Sequence, residues 1–221
     1  MLAIDTATSL VGAAVLGGDG SEPVVRTAEG PRAQTELLAP LVREALEAAG
    51  AAPADLTDIA VGTGPGPFTG LRVGLVTAVT MGYALGVQVH GVCSLDVLAE
   101  QAWTGGPADL LVATDARRRE VYWARYTGAG DGVAGGVRRV AGPSVDRPAD
   151  LAPDLRALPT AGRGPVLHPD LFPSPLRPLD VDPGVLGLVA LRRLAAGEAM
   201  PVEPLYLRRP DALTTAERAA R

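Results

Sequence analysis

The chain of 221 residues contains no lysine, a single cysteine and only two histidines. All twenty cationic residues are arginine, so no lysine is available to contact a phosphate in the way that the P-loop lysine does. Cys93 has no second cysteine with which to form an internal disulfide. His90 and His168 lie far apart in the sequence, so neither belongs to an H-E-x-x-H metal motif. These absences argue against a P-loop NTPase and against a zinc metalloprotease.

The chain also has few aromatic residues and no net positive charge. Aromatics make up 4% of a chain that is 47% apolar, so the core is expected to consist of Ala, Val and Leu. A net charge of −5 argues against binding a phosphate backbone by this chain alone. No continuous apolar run reaches the length of a membrane span, and Asp5 falls where a signal peptide would be apolar. We expect a cytoplasmic protein with no membrane contact.

No catalytic constellation is evident. A G-x-S-x-G motif is missing. Cys93, beside Ser94 at a predicted helix start, is either an activated thiol or a buried packing residue, and the second is favoured because no histidine is near. Both histidines are interpreted as core or surface residues. We therefore predict no catalytic residue and no metal site.

The glycine-rich segment of residues 61–74 is the most distinctive motif. Its glycines fit neither the Walker spacing nor G-x-G-x-x-G. Glycine and proline together make a turn stiff and allow close backbone contact. We predict a structural elbow between a strand and a helix, formed by Gly64, Pro65, Gly66, Thr69 and Gly70.

Hydrophobic periodicity predicts the order βββαβαβα for residues 1–103, with strands at 2–4, 10–16, 24–27, 59–62 and 87–92 and helices at 35–49, 70–85 and 94–103. Residues 110–114 and 121–126 then repeat the opening pair of strands, which suggests an internal duplication. A segment with this order of strands and helices is typical of ribonuclease H-like folds, and two such segments together form the actin-like α/β fold. We predict subdomains 1–103 and 104–221, the second smaller and degenerate, with a C-terminal segment that packs back on the first.

In actin-like folds the turns after the first strands hold phosphates. The corresponding residues Asp5, Thr6 and Asp115 are weak candidates for cofactor binding. Asp5 and Asp115 could serve either as ligands of magnesium-bound water or as caps of the strand ends. Capping is favoured because Ala7 and Ala116 replace the glycines that phosphate turns use. Arg117–Arg119 and Arg208–Arg209 could contact RNA or an acidic protein surface, although a solvated edge is the preferred reading.

The helix predicted at 70–85 is apolar on every side, so one face is expected to need a cover other than its own sheet. Gly74, Ala78 and Gly82 form a stripe of small residues that would let a partner helix approach closely. A helix buried within its own domain is the alternative. The predicted partner interface comprises Leu37, Leu38, Leu41, Leu71, Gly74, Leu75, Ala78, Met81 and Gly82.

Five segments together resemble the bacterial TsaB family, also called YeaZ. They are residues 2–8, 34–41, 64–74, 91–96 and 115–122, and the tail at 204–210 agrees as well. The resemblance spans nearly the whole chain. Gln34 and Pro67 depart from it, since the family usually has His and Ser there, and any role of those side chains does not carry over.

The resemblance implies a non-catalytic subunit required for N6-threonylcarbamoyladenosine modification of tRNA. It implies TsaD as the main partner, which carries the transfer chemistry, TsaE as a further partner, and a homodimer when TsaD is absent. No cofactor is expected in the isolated chain; nucleotide would bind at the interface with TsaD and TsaE, and tRNA only through the complex. An ATP-dependent kinase or ATPase of the same fold is the alternative, and a glycoprotease-like peptidase is less favoured.

Overall fold

The computed structural model describes residues 1–30, 33–103, 109–128 and 136–208. In chain order the strands are β1 (Leu2–Asp5), β2 (Leu10–Val15), β3 (Val24–Glu29), β4 (Asp58–Gly62), β5 (Gln88–Val92), β6 (Asp109–Asp115), β7 (Val121–Gly128), β8 (Val137–Asp146) and β9 (Thr160–Ala161). The α-helices are α1 (Ala33–Ala48), α2 (Phe68–Leu85), α3 (Ser94–Ala102), α4 (Pro153–Arg156), α5 (Gly164–Leu167) and α6 (Pro183–Ala195). The predicted elements of residues 1–103 all form, with ends that differ by a few residues.

The first sheet has the strand order β3-β2-β1-β4-β5. β1 to β3 are antiparallel, whereas β4 and β5 run parallel to β1, because each is reached through a helical crossover. Side chains alternate between the two faces of a strand, so Leu2 and Ile4 pack under α1 and α2 while Ala3 faces the opposite layer.

The second sheet has the order β8-β7-β6-β9. One core, which includes Leu95, Leu110, Tyr126 and Leu186, joins α3 and α6 to both sheets. α6 contacts strands of the first sheet although it follows the second in sequence. The mixed α/β fold with two sheets is confirmed, whereas the division into subdomains at residues 103 and 104 stays a prediction.

The second half holds more regular structure than the sequence indicated. Residues 131–183 are rich in Pro, Gly and Arg and belong to the subdomain that we expected to be degenerate. Instead β8 extends over Val137–Asp146 and pairs with β7, with register irregularities near Arg125. The irregular pairing broke the two-residue alternation that would have revealed this strand.

Candidate functional site

A cleft of about 510 Å³ lies between the two sheets, where the two Asp-ended strands meet. Its walls come from both halves of the chain: Ala7, Thr8, Ser9, Glu29, Gly30, Pro67, Thr114, Asp115, Arg117, Arg163, Leu179 and Asp180. The fold therefore brings together the two turns that the repeated strand pattern singled out.

Asp5 does not face this cleft. Its side chain is buried, and it accepts hydrogen bonds from the backbone N–H of Ala7 at 2.9 Å and from the Ser94 hydroxyl at 2.7 Å. Burial raises the pKa of Asp5 to about 6, although these hydrogen bonds favour the charged form. Gly62 lies directly against the carboxylate and leaves no room for a β-carbon. The geometry is that of a buried cap at the end of β1.

Thr6 is likewise used inside the fold. Its hydroxyl donates to the carbonyl of Gly70 at 2.8 Å and accepts from the N–H of Gly74 at 3.1 Å. These bonds attach the end of β1 to the first turns of α2. Gly74 is required at this contact because a β-carbon there would clash with the Thr6 hydroxyl.

Asp115 caps the turn between β6 and β7. One carboxylate oxygen accepts from the N–H of Arg117 at 2.7 Å, and the other pairs with the Arg117 guanidinium at 3.0 Å. Asp115 is partly exposed to the cleft, in contrast to Asp5. The acidic residues of the two repeated turns thus have different surroundings.

Arg163 and its two carboxylate partners are residues of the cleft that the sequence analysis did not identify. Arg163 forms three hydrogen bonds of 2.6–3.0 Å to the Asp180 carboxylate and one of 2.5 Å to Glu29. These bonds raise the pKa of Arg163 and connect α5 to the end of β3. The partners are 17 and 134 positions away, so no local sequence signal points to them.

The two histidines and the cysteine do not form a reactive group within residues 1–30, 33–103, 109–128 and 136–208. The ring of His90 lies 2.9 Å from the Asp58 carboxylate on the neighbouring strand, and no cluster of three metal-ligating side chains occurs in this part of the chain. Burial raises the pKa of the Cys93 thiol to about 12, although Arg139 lies 3.3 Å from its sulfur. This environment favours the packing role for Cys93.

The orientation of α2 overturns the predicted stripe. Gly74 packs against Thr6, Gly82 against Val89, and Ala78 is fully buried. The prediction that these three residues face outward is wrong, because the small side chains allow α2 to lie close to its own sheet. Other members of the predicted interface are buried in the same core, namely Leu38, Leu41, Leu71 and Leu75, while Leu37 and Met81 are half-buried at its edge.

The outer face of α2 is formed by different residues, which we call the α2 outer face: Phe68, Arg72, Val76, Val79 and Tyr83. Tyr83 is 91% exposed, Val76 59%, and Phe68 and Val79 48% each. The guanidinium of Arg72 lies 5.0 Å above the Phe68 ring. A shallow depression of about 480 Å³ runs over Phe68, Thr69, Arg72, Val73, Val76 and Thr77.

The elbow positions this face. Gly64 has φ of 87°, a left-handed conformation that favours glycine, and a β-carbon on Gly66 would clash with the backbone of Ala7. The elbow is buried between β1 and α2, and Thr69 alone of its predicted residues is exposed. The side chain of Gln34, which departs from the family pattern, lies outside the part of the chain that the structure describes.

Among the described helices, α2 is also the one that is long and apolar enough to cross a membrane by length and composition alone. This is weak evidence, because helices in the cores of folded domains share these properties. The inner face of α2 is packed on the first sheet here.

Comparisons with known proteins identify a matching family model and several relatives. Residues 28–176 match the family model "TsaD: tRNA N6-adenosine threonylcarbamoyltransferase", which is more than half of the chain. A sequence of Mycobacterium leprae described as uncharacterized is 47% identical over 216 residues, or 96% of this chain and 55% of that protein. The tRNA threonylcarbamoyladenosine biosynthesis protein TsaB of Escherichia coli is 40% identical over 129 residues, or 57% of this chain and 54% of that protein. The chain thus spans about half the length of these two relatives.

The solved structure of YeaZ from Pseudomonas aeruginosa is 30% identical, with a TM-score of 0.76 over 93% of this chain and 98% of that one. The chain belongs to the TsaB (YeaZ) family. The resemblance inferred from the sequence is therefore confirmed.

Proposed function

We propose that this TsaB-family chain is a non-catalytic subunit in the synthesis of N6-threonylcarbamoyladenosine in tRNA, and that it docks to a TsaD protein through the α2 outer face. The role in this modification is supported by the similarity to Escherichia coli TsaB. The observation that carries the docking proposal is the exposure of four large apolar side chains on one face of an 18-residue helix.

The proposal that the chain is non-catalytic is supported by the contacts of the candidate polar groups, because these groups form hydrogen bonds and ion pairs with other residues of the same chain. Asp5 and Thr6 form internal hydrogen bonds. Asp115 is paired with Arg117, and Arg163 with Asp180 and Glu29. These contacts account for the position of each group by a role in the fold, so no substrate is needed to explain why the groups are there.

The α2 outer face suits a protein rather than solvent because large contiguous apolar patches are uncommon on monomeric proteins. A TsaD protein is the proposed occupant because this chain matches the TsaD model itself. Two chains of one fold can present equivalent helices to each other across an approximate twofold axis, as in an isologous dimer. The same geometry accounts for the expected homodimer when TsaD is absent.

The docking proposal is tested with Val76→Arg. Val76 is 59% exposed, so the new side chain can extend into solvent in the free chain, but in a helix contact it would be buried without a partner. We expect binding to the TsaD protein of the same source to weaken at least a hundredfold, with an unchanged melting temperature. Val166→Arg, at a site that is 60% exposed on α5, is the matched control and should bind normally. Equal binding by both variants would place the interface elsewhere.

The alternative of an ATP-dependent kinase or ATPase is tested on the isolated chain by calorimetric titration with Mg-ATP. We expect weak binding at most, because Ala7 and Ala116 occupy the phosphate turns. A dissociation constant in the low micromolar range would favour the enzyme. We propose that TsaE and nucleotide join only at the assembled interface.

A further inference from the structure

The turn between β6 and β7 has an uncommon backbone. Arg117, Arg118 and Arg119 have φ of 63°, 52° and 62°. Left-handed φ values are disfavoured for residues with a β-carbon and usually occur singly. All three residues are exposed, so burial does not account for the conformation. We call residues 117–119 the arginine turn.

Contacts from both sides hold the arginine turn in place. Asp115 accepts from the N–H of Arg117 at 2.7 Å, and the N–H of Ala116 donates to the carbonyl of Glu120 at 3.0 Å. Arg208 donates to the carbonyl of Ala116 at 2.8 Å and forms an ion pair with Glu120. The C-terminal segment is therefore part of the support for this turn.

The same segment connects the arginine turn to the α2 outer face. The ring of Tyr206 lies 5.1 Å from that of Phe68, at the start of α2, and Leu205 is hydrogen-bonded to Thr63 of the elbow. Arg208 follows Tyr206 by two residues, at most about 7 Å of extended chain. The C-terminal segment therefore links the turn to the start of the helix whose outer face we assign to the TsaD protein.

The local charge is opposite to that of the whole chain. Residues 115–120 and Arg208 carry four arginines against Asp115 and Glu120, a local sum of +2, whereas the chain carries −5. Guanidinium groups form planar, bidentate hydrogen bonds to phosphate and remain charged at any physiological pH. A cationic projection linked through the C-terminal segment to a docking surface fits a polyanion that is bound by both subunits.

We propose that the arginine turn contacts the phosphate backbone of tRNA when this chain is docked to its TsaD partner. The inference rests on the proposed function, which supplies both the partner and the polyanion. We expect the isolated chain to bind tRNA poorly, because its net charge is negative and a few arginines provide few phosphate contacts. The complex adds the partner's own contacts, to which the turn contributes a fixed set of cations.

The test is the double variant Arg118→Asn and Arg119→Asn in the full-length chain, assembled with the TsaD protein. Asparagine tolerates left-handed φ better than arginine, so the variant removes two charges without removing the turn. Binding of a labelled, unmodified tRNA transcript to the complex is measured at several salt concentrations. We expect affinity to fall about tenfold, within the range for two exposed ion pairs, and the salt dependence of log K to lose about one unit of slope per arginine.

Two further readouts separate this inference from a structural role and from the proposed function. The melting temperature of the double variant should be unchanged or raised, and its affinity for the TsaD protein should be unchanged. Arg138→Gln, on an exposed site at the opposite end of the second sheet and about 20 Å away along the strands, should leave tRNA binding intact.

Wild-type tRNA affinity and salt slope in the double variant would overturn the inference. Weakened TsaD binding with unchanged tRNA binding would also overturn it, and would assign the turn to an acidic protein surface instead. Failure of the unsubstituted chain to bind the TsaD protein is a different result, which refutes the proposed function directly and this inference with it.

Discussion

Asp5 should make the chain more stable in mild acid than at neutral pH. Burial raises its pKa from the ordinary 3.8 to about 6 in the folded state. At pH values between 3.8 and 6, the folded chain therefore keeps a proton on this carboxyl, whereas the unfolded chain has largely lost it. The stabilising contribution of that proton is complete below pH 3.8 and is lost as the pH rises through 6.

A pKa difference of about 2.2 units corresponds to roughly 3 kcal/mol, at 1.36 kcal/mol per unit. Of this, about 2 kcal/mol falls between pH 4 and pH 7.5. Asp5→Asn has nearly the same shape and can still accept from the N–H of Ala7, but it does not titrate. The free energy of unfolding of Asp5→Asn minus that of the natural chain should therefore become more positive by about 2 kcal/mol over this range.

The assay is urea denaturation followed by circular dichroism at intervals between pH 4 and pH 7.5. Asp19→Asn provides the control. The pKa of the exposed Asp19 is lowered by hydrogen bonds from Ser21, so its contribution is present above pH 3.8 and lost as the pH falls further. Parallel pH profiles for Asp5→Asn and the natural chain would show that Asp5 is solvated or paired with a cation, and would refute the assignment as a buried cap.

Three more outcomes follow from the packing. Ala78→Arg should destabilise the fold by roughly 3 kcal/mol or more, because it buries an unpaired charge under α2; Thr80→Arg, exposed on the same helix, should melt normally, and equal melting of the two would show that α2 is rotated. Arg163→Gln should cost roughly 2 kcal/mol in urea denaturation because Asp180 loses its cation. In contrast, Arg43→Gln, which breaks an exposed pair, should cost under about 0.5 kcal/mol, and equal losses would contradict the role of Arg163. Cys93, with a pKa of about 12, should react with a thiol reagent at pH 7.5 only after unfolding, so rapid labelling of the folded chain would be incompatible with its burial.

The first half of the fold could be predicted from the sequence because local signals agreed there. Leu10–Val15 and Val24–Glu29 flank a glycine-rich turn, and Gly50 and Gly86 follow the ends of α1 and α2. The pattern is weaker in the second half. β9 has two residues, and the pairing of β8 is irregular, so neither produces a sustained alternation.

The inner face of α2 could not be separated from the outer face by sequence alone. A helix with apolar residues on every side has no distinct hydrophobic direction, and small residues suit either a partner helix or the chain's own sheet. Tertiary contacts identify the inner face of α2, because Thr6 and Val89 leave no space for a β-carbon on Gly74 or Gly82. The exposed side is then fixed at Val76, Val79 and Tyr83 by the helical repeat. A small-residue stripe therefore identifies the side of α2 that packs closely on its own sheet, while the large apolar residues identify the side that stays exposed.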